Sequence, residues 1–264
     1  MNNLRPKNPE LVRCLSSLRS LHRSSATEII STPFGEAFFN TDFPDKQDLN
    51  VFWVNRMDSH LAAGALIRDV ESLQEERGLG YRRLMVEDKG ALEVLSPLLQ
   101  APAWGHSSNL LMTTTAPGQL PATNEITVQL VTREQLREHM YHWYLGEEGL
   151  TDDDATMLIE AGRVTDQAVP TLHLAAVVGT NVAGWCELRI IGQTAQLENL
   201  GTLPQFRRRG VATALVNEAI NLSYRKRADV IFLQTDSADH AQHLYSRLGF
   251  VRVGALHRFL KTVT

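Results

Sequence analysis

The stretch LPQFRRRGVATAL, residues 203–215, lies where a predicted β-strand gives way to a predicted α-helix. Apolar residues recur at helical spacing after Gly210, so the pattern predicts that a helix begins there. The first amides of a helix have no partner within it, and they lie at the positive end of the helix dipole. Because Gly210 and Ala212 are small, a phosphate group can approach these amides closely. The stretch therefore predicts an anion-binding junction between a strand and a helix.

Two commoner phosphate-binding motifs are missing from the sequence. No G-x-x-x-x-G-K-[ST] stretch occurs, and the single glycine of the junction cannot supply a three-glycine dinucleotide fingerprint. ATP and NAD therefore lose support as ligands. Taken alone, three arginines before a helix are also compatible with a solvated basic turn. The sequence LYSRLGF at 244–250 adds a second motif, because its glycine ends the next predicted helix immediately before a strand.

The segments around the junction alternate between strands and helices. Predicted strands cover residues 126–131, 172–178, 182–191, 195–203, 229–235 and 250–261, and predicted helices cover 136–144, 151–159, 211–222 and 238–248. Thr151 can cap the second of these helices, and acidic residues follow it in the first turn. The order β-α-α-β-β-β-α-β-α-β predicts an α/β fold in which helices cover a mixed sheet.

A seam of small and turn-forming residues with two prolines lies at 113–124. We place a linker there and predict two domains, residues 1–118 and 119–264. Before the seam, a helix at 62–76, a strand at 81–86, a helix at 90–99 and a strand at 109–113 repeat the order that closes the second half. This common order indicates a diverged internal duplication, with an unrelated α/β cap as the alternative.

The composition is that of an ordinary globular protein. Of the 264 residues, 43% are apolar and 21% are charged, and the formal net charge is −4, so neither a disordered chain nor a nucleic-acid-binding tail is indicated. The two cysteines, Cys14 and Cys186, are far apart and lack metal-ligand spacing. We expect a cytoplasmic protein without a metal site, a targeting segment or a membrane span.

The two motifs, in this order, resemble the GNAT superfamily of N-acetyltransferases. Arg207-x-x-Gly210-x-Ala212 is similar to the R/Q-x-x-G-x-G/A pyrophosphate loop of that superfamily, and LYSRLGF is similar to its closing L-Y-x-x-L-G-F element. This resemblance covers residues 126–261. The whole chain also resembles the tandem bacterial GNAT proteins, in which a degenerate N-terminal copy precedes an active C-terminal copy. The resemblance thus implies two GNAT-type domains in tandem.

The resemblance implies that acetyl-CoA donates an acetyl group. It assigns cofactor binding to the end of one strand and the start of the next helix, namely Leu200, Thr202, Leu203, Arg207, Arg208, Arg209, Gly210, Val211, Ala212 and Thr213. Within this set, the backbone near Thr202 would contact the acetyl carbonyl and the pantetheine arm. The corresponding helix of the N-terminal half begins LAAGAL at 61–66 and lacks the motif, so we expect one acetyl-CoA site per chain. Ala238 departs from the family pattern, in which asparagine is common at that position.

Acetyl transfer to an amine calls for a base, because an alkyl ammonium with a pKa near ~10 is mostly protonated at neutral pH. Its position in the family pattern makes Glu198 our candidate base, with an exposed strand carboxylate as the alternative reading. Glu187 is the rival base and a candidate acceptor contact. Tyr245 lies where GNAT enzymes commonly keep the acid that protonates the CoA thiolate, although it also shares an apolar helix face, as a core tyrosine would.

The first helix of the second half corresponds to the region that usually shapes the acceptor pocket of GNAT proteins. Its apolar face accounts for Trp143 and Tyr144 as core residues, which leaves Tyr141 as the candidate for acceptor binding. His139 and His142 have a spacing that two metal ligands can use, but the pattern offers no third ligand nearby, so a polar helix face is favoured.

Taken together, the sequence predicts an acetyl-CoA-dependent N-acetyltransferase that acetylates a primary amine in a ternary complex. The acceptor is expected to be a small molecule rather than a protein, and the chain a monomer or a homodimer. One alternative is an acyltransferase that uses another acyl-CoA or an aminoacyl-tRNA, and only the latter donor would make a nucleic acid a partner. The other alternative is a non-catalytic module that binds acyl-CoA.

Overall fold

The computed structural model describes residues 8–57, 62–100, 102–118, 125–146 and 149–263. The chain divides into two compact units that are not contiguous in sequence. Unit 1 contains residues up to 17, 111–234 and 240–253, and unit 2 contains residues 18–110, 235–239 and those from 254 onward. These units differ from the predicted ranges 1–118 and 119–264. The first segment of the chain, up to residue 17, belongs to the unit that holds most of the C-terminal half, and the last segment, from residue 254, belongs to the other unit. The division into domains at the seam stays a prediction.

The N-terminal half contains helix α1 (Pro9–Ser25), strands β1 (Glu28–Thr32), β2 (Gly35–Phe39) and β3 (Val51–Val54), helix α2 (Ala63–Glu75), strand β4 (Tyr81–Val86), helix α3 (Lys89–Leu95) and strand β5 (Gly105–Thr114). These elements belong to unit 2, except that α1 and β5 are divided between the units. The sequence predicted α2, β4, α3 and β5 but not α1 or β1 to β3. Helix α3 ends earlier than predicted, with Ser96 as its C-cap. Pro97 follows and has no backbone N–H with which to continue the helical hydrogen bonds.

The C-terminal half contains β6 (Ile126–Val131), α4 (Arg133–Gly146), α5 (Asp152–Ala168), β7 (Thr171–Val178), β8 (Asn181–Ile191), β9 (Thr194–Thr202), α6 (Val211–Arg225), β10 (Val230–Asp236), α7 (Ala241–Arg247) and β11 (Val251–Thr262). These elements belong to unit 1, except that β10 and β11 are divided between the units. This succession confirms the predicted order of strands and helices. Helix α7 starts later than predicted, since Asp236 accepts a hydrogen bond from the backbone N–H of Ala238 at 2.9 Å and so forms a turn before the helix.

Each unit contains the same succession of strand pairings. In unit 2, β1 pairs with β2 and β2 with β3 in antiparallel fashion, whereas β3 and β4 are parallel. In unit 1, β7 pairs with β8 and β8 with β9 in antiparallel fashion, whereas β9 and β10 are parallel. The order β-β-β-α-β-α-β is therefore common to both halves, and the likeness includes three strands that the sequence pattern did not reveal. The fold is mixed α/β, as predicted.

Each unit has an apolar core of its own between sheet and helices. In unit 2, Leu66 of α2 and Leu95 of α3 are fully buried together with side chains of β3 and β4, and β3 is buried at every position. In unit 1, Leu136 and Met140 of α4 pack with Ile159 of α5 and with side chains of β7 and β8. Over the described residues, no helix combines the length and the apolar character needed to cross a bilayer.

Candidate functional site

Helix α6 begins in a way that leaves its first amides accessible. Gly210, its N-cap residue, has φ = +87°, a left-handed conformation that side chains disfavour, and Arg208 also has a positive φ of 60°. Glycine offers no side chain to cap the helix, and no acidic residue lies in the first turn. The N-terminus of α5 is different, because Thr151 and Asp154 form a reciprocal capping box there. The start of α6 can therefore accept an external anion.

Strands β9 and β10 separate just before this helix. Their parallel pairing runs from Thr194 opposite Val230 to Leu197 opposite Leu233, whereas β9 itself continues to Thr202. On the other side of β9, the register with β8 shifts between Trp185 and Glu187. Asn199 lies in this segment of β9 with φ = +50°. The irregularity, called here the β9 bulge (residues 198–201), interrupts the regular pairing with β8, which resumes at Gly201 and Thr202.

A cavity of about 200 Å³ lies against the β9 bulge. We call it the aromatic cavity, and it is lined by Trp143, Tyr144, Trp185, Asn199, Leu200 and Gly201. The two tryptophan rings meet edge to face, with centroids 5.5 Å apart. Glycine at 201 lets the strand lie directly against this wall, since a Cβ there would lie 3.0 Å from carbon atoms of the Trp185 indole and the ring would have to shift.

Arg207 connects the aromatic cavity with the loop before α6. Its guanidinium carbon lies 5.6 Å from the centroid of the Trp143 ring, within the range of a cation–π contact. Its Nε donates a hydrogen bond to the backbone carbonyl oxygen of Thr202 at 3.3 Å. The predicted cofactor residues Thr202 and Arg207 are thus in contact, and they join the end of β9 to the cavity wall.

A chain of buried charges joins helices α4 and α5 to strands β7 and β8. Arg133 donates two hydrogen bonds to the Asp166 carboxylate, at 2.6 and 3.0 Å, and a third to Glu187 at 2.8 Å. The other carboxylate oxygen of Glu187 accepts a hydrogen bond from Arg189 at 2.7 Å. His173 completes the chain, because its Nε2 lies 3.0 Å from an oxygen of Asp166. We call these five residues the charge network.

The charge network keeps its carboxyl groups ionised. Burial alone would raise the pKa of Glu187, but Arg189, Arg133 and a hydrogen bond with Asn199 outweigh that effect and hold the pKa below its usual range. Burial opposes ionisation of Asp166 as well, yet its hydrogen bonds with His173 and Arg133 lower its pKa to about 2. Through Asn199, the network also contacts the β9 bulge.

Of the two predicted bases, Glu198 is the one with a partly exposed carboxylate. It lies in the β9 bulge, its side chain is 26% exposed, and it accepts a hydrogen bond from the Gln196 amide. Glu187 was predicted as the rival base and as an acceptor contact, but its burial does not suit either role. It is only 1% exposed, and Arg133 and Arg189 each bond to one of its carboxylate oxygens. A buried carboxylate with a lowered pKa is a poor proton acceptor.

The aromatic residues of α4 also differ from expectation. Trp143 and Tyr144, which the sequence pattern assigned to the core, line the aromatic cavity as well as packing against the core. Tyr141, the predicted acceptor contact, lies outside the lining, and its hydroxyl donates to Asp152 at the start of α5. Trp185 and Asn199 were not predicted as site residues.

The remaining predicted residues differ in how far their side chains are exposed. Leu200 lines the cavity, Leu203 packs against the neighbouring core, Val211 is buried, and Ala212 and Thr213 are half-buried in the first turn of α6. The side chains of Arg207, Arg208 and Arg209 are exposed, which suits contact with the phosphates of a ligand held at the helix N-terminus. Tyr245 is 9% exposed, and its ring meets that of Phe250 edge to face. This donor set fits a pyrophosphate bound by backbone amides and arginines.

Comparison with known proteins finds one matching family model and several solved structures of similar fold. Residues 136–250 match the family model for the acetyltransferase (GNAT) family, and no curated protein matches the chain. A GCN5-related N-acetyltransferase from Kribbella flavida is similar over 97% of both chains, with a TM-score of 0.71 at 14% identity. A functionally unknown conserved protein from Staphylococcus epidermidis has the same TM-score at 17% identity, over 90% of this chain and 95% of its own. A tandem GNAT protein from the clavulanic acid biosynthesis pathway is similar over 80% of this chain and 74% of its own, with a TM-score of 0.56 at 11% identity. At these identities, the structural likeness concerns the fold.

Proposed function

We propose that this chain, whose residues 136–250 form a domain of the GNAT acetyltransferase family, transfers the acetyl group of acetyl-CoA to a primary amine. The observation that carries the proposal is the parting of β9 and β10 directly before an uncapped helix N-terminus. A thioester needs a slot beside free backbone donors, and its pyrophosphate needs an anion site at a fixed distance from that slot. Both features occur here within one strand–loop–helix segment.

The donor would be held mainly by backbone groups. The pyrophosphate would accept hydrogen bonds from the first amides of α6, with the Thr213 hydroxyl as a further donor, while Arg208 and Arg209 add positive charge. The pantetheine arm and the acetyl carbonyl would then follow the end of β9, from Leu200 to Leu203. Backbone N–H groups of this segment would stabilise the oxyanion that forms when the carbonyl is attacked.

The transfer requires three proton movements in addition to the bond changes. Glu198 takes a proton from the acceptor ammonium and passes it to solvent, and the neutral amine nitrogen then attacks the carbonyl carbon of the thioester. A C–N bond forms, the nitrogen loses its second proton to Glu198, and the C–S bond breaks as the tetrahedral intermediate collapses. Tyr245 donates its hydroxyl proton to the departing thiolate and regains a proton from solvent. Because the amine attacks the thioester directly, donor and acceptor are bound at the same time and no acetyl-enzyme forms.

A thiol-release assay tests this function. The full chain is incubated with acetyl-CoA and a panel of primary amines, free CoA is measured, and the acetylated product is identified by mass spectrometry. We expect Tyr245→Phe to lower kcat without changing the Kd for acetyl-CoA, because the lost hydroxyl acts only on the leaving group. Tyr224→Phe on helix α6 is the matched control, as Tyr224 is half-exposed and has no role in the proposed site.

Other outcomes identify the alternatives. Acetyl-CoA binding without thiol release for any amine would contradict the enzyme and favour the acyl-CoA-binding module. Release only with another acyl-CoA or an aminoacyl-tRNA would replace the donor but keep the reaction type. Unchanged turnover in Tyr245→Phe would remove Tyr245 from the mechanism.

A further inference from the structure

The aromatic cavity lies where the acceptor of the proposed reaction must sit. Along β9 it contacts Asn199, Leu200 and Gly201, and these three residues separate the proposed base Glu198 from Thr202, whose backbone would contact the acetyl group. An amine nitrogen that loses a proton to Glu198 and attacks a carbonyl beside Thr202 has to pass this segment. The rest of the acceptor then projects toward the other wall of the cavity, which α4 and β8 provide.

That wall is aromatic rather than acidic. Trp143 and Tyr144 come from α4 and Trp185 comes from β8, and none of the six described lining residues carries a charge. Cavities that recognise polyamines or aminosugars need carboxylates to pair with several ammonium groups. Here a bound group would instead gain from burial of apolar surface and from ring contacts.

The cavity is large enough for a small ring. Its volume is about 200 Å³, and an apolar protein cavity of about 150 Å³ binds benzene. A single ring or a branched aliphatic group therefore fits.

We propose that the acceptor is a small monoamine whose amine is borne on an apolar group of about one aromatic ring, and that Trp143 and Trp185 bind this group. The inference rests on the proposed acetyltransferase function and adds the chemical class of its acceptor. It assigns specificity to residues of α4 and β8, which share the cavity with Leu200 of the proposed donor site.

The test compares kcat/KM for three acceptors of graded chemistry, namely phenethylamine, n-butylamine and spermidine, at saturating acetyl-CoA. We expect phenethylamine to be favoured about tenfold to hundredfold over the other two, because burying a ring contributes an affinity of that order. In Trp143→Ala, this preference should fall to within a few-fold while the Kd for acetyl-CoA is retained. Trp143→Phe keeps a ring in the wall and should restore most of the preference.

The control and the contrary results are distinct. His142→Ala removes an exposed ring from the neighbouring position on α4 and should leave all three kcat/KM values unchanged. Equal or higher kcat/KM with spermidine or with lysine-containing peptides would overturn the inference while leaving the acetyltransferase function intact. A preference for phenethylamine that survives in a folded Trp143→Ala protein would equally overturn it. Absence of thiol release with every amine would instead contradict the proposed function itself.

Discussion

The two halves of the chain have the same succession of elements, but they differ in structure at the junction between the third strand and the following helix. In the N-terminal half, the parallel pairing of β3 and β4 includes the last residue of both strands, Val54 opposite Val86. In the C-terminal half, the pairing of β9 and β10 stops at Leu197 and Leu233, and β9 continues beyond it. Where two strands pair up to their ends, their backbone groups bond to each other. Where the two strands part, the backbone groups that face the gap can bond to a ligand. This difference is the reason why we assign the proposed donor site to the C-terminal half.

The helix that follows the junction also differs between the halves. Helix α6 has the left-handed Gly210 as N-cap and three arginines before it, whereas helix α2 has Ala62 as N-cap in a right-handed conformation. The β8–β9 register shift has no counterpart in the regular pairing of β2 with β3. Three local features therefore distinguish the proposed active copy: a bulge, a parted strand pair and a glycine cap. Each can be altered separately.

Loss of the proposed base gives the largest expected effect. Glu198→Gln should lower kcat by about 10²–10⁴-fold, as removal of a general base does, with little change in the Kd for acetyl-CoA. The matched change in the other half is Glu36→Gln on strand β2, where Glu36 forms an ion pair with Arg23. Steady-state kinetics on both variants should show a loss in the first alone. Equal losses would mean that the effect arises from folding rather than from proton transfer.

The charge network behind the β9 bulge should contribute strongly to stability. Arg133→Met leaves the carboxylates of Asp166 and Glu187 without their shared partner, and such a change costs about 3–5 kcal/mol. Urea unfolding measures this loss. The control is Arg137→Met on the same helix, because the ion pair of Arg137 with Glu160 is at the surface and should contribute little. A stability loss in Arg133→Met no larger than in the control would show that the network does not hold unit 1 together.

Substitution at the glycine cap should abolish donor binding. Gly210→Val combined with Ala212→Val places side chains over the first amides of α6 and strains the left-handed residue, so the Kd for acetyl-CoA should rise at least about 100-fold. Gly64→Ala is the matched change near the start of α2, where the new methyl group meets only the end of the Arg68 side chain at 3.6 Å. It should leave the Kd unchanged and raise stability by about 0.5–1 kcal/mol, since alanine favours a helix. A change in Kd upon Gly64→Ala would indicate a donor site in the N-terminal half.

The smallest expected effect concerns acid stability. The pKa of Asp166 is lowered from 3.8 to about 2, so its ionised form stabilises the fold above pH 4, and this contribution is lost as the pH falls toward 2. Thermal unfolding from pH 5 to pH 2 should therefore show a shallower decline in Asp166→Asn than in the unaltered protein. In unit 2, Glu28→Gln removes an exposed carboxylate paired with Arg77, and it should change the profile less. Parallel profiles for the protein and Asp166→Asn would contradict the role assigned to Asp166.

Local sequence signals predicted the elements that form the proposed donor site. Gly210, the apolar spacing after it and the turn residues at 179–181 placed α6 and the β7–β8 hairpin correctly, because caps and turns are determined by a few neighbouring residues. Helix α1 and strands β1 to β3 were missed, although β7 to β9, the equivalents of the three strands in the other half, were predicted. The four-residue strand β3 is buried at every position and therefore lacks the alternation that marks a half-buried strand.

The features that depend on distant residues could not be predicted. Glu187 is buried and ionised because Arg133, 54 residues earlier in the chain, reaches it. The bulge at Asn199 arises from the register between two strands, which alternation along one strand does not specify. Tyr141 seemed the better pocket residue on α4, but its hydroxyl is held by Asp152 of the next helix, and Trp143 and Tyr144 line the cavity instead. The sequence predicted which side chains share a face of a helix, but it could not predict which other elements that face contacts.

The number of acetyl-CoA molecules bound per chain tests the central claim most directly. Isothermal titration calorimetry of the full chain should give one equivalent, and the Gly210→Val, Ala212→Val protein should give none while remaining folded. One equivalent that is lost in this way means that only the parted, glycine-capped copy binds the donor. Two equivalents, or one that survives the double substitution, would contradict the account, because a site would then exist without the parted strands and the glycine cap.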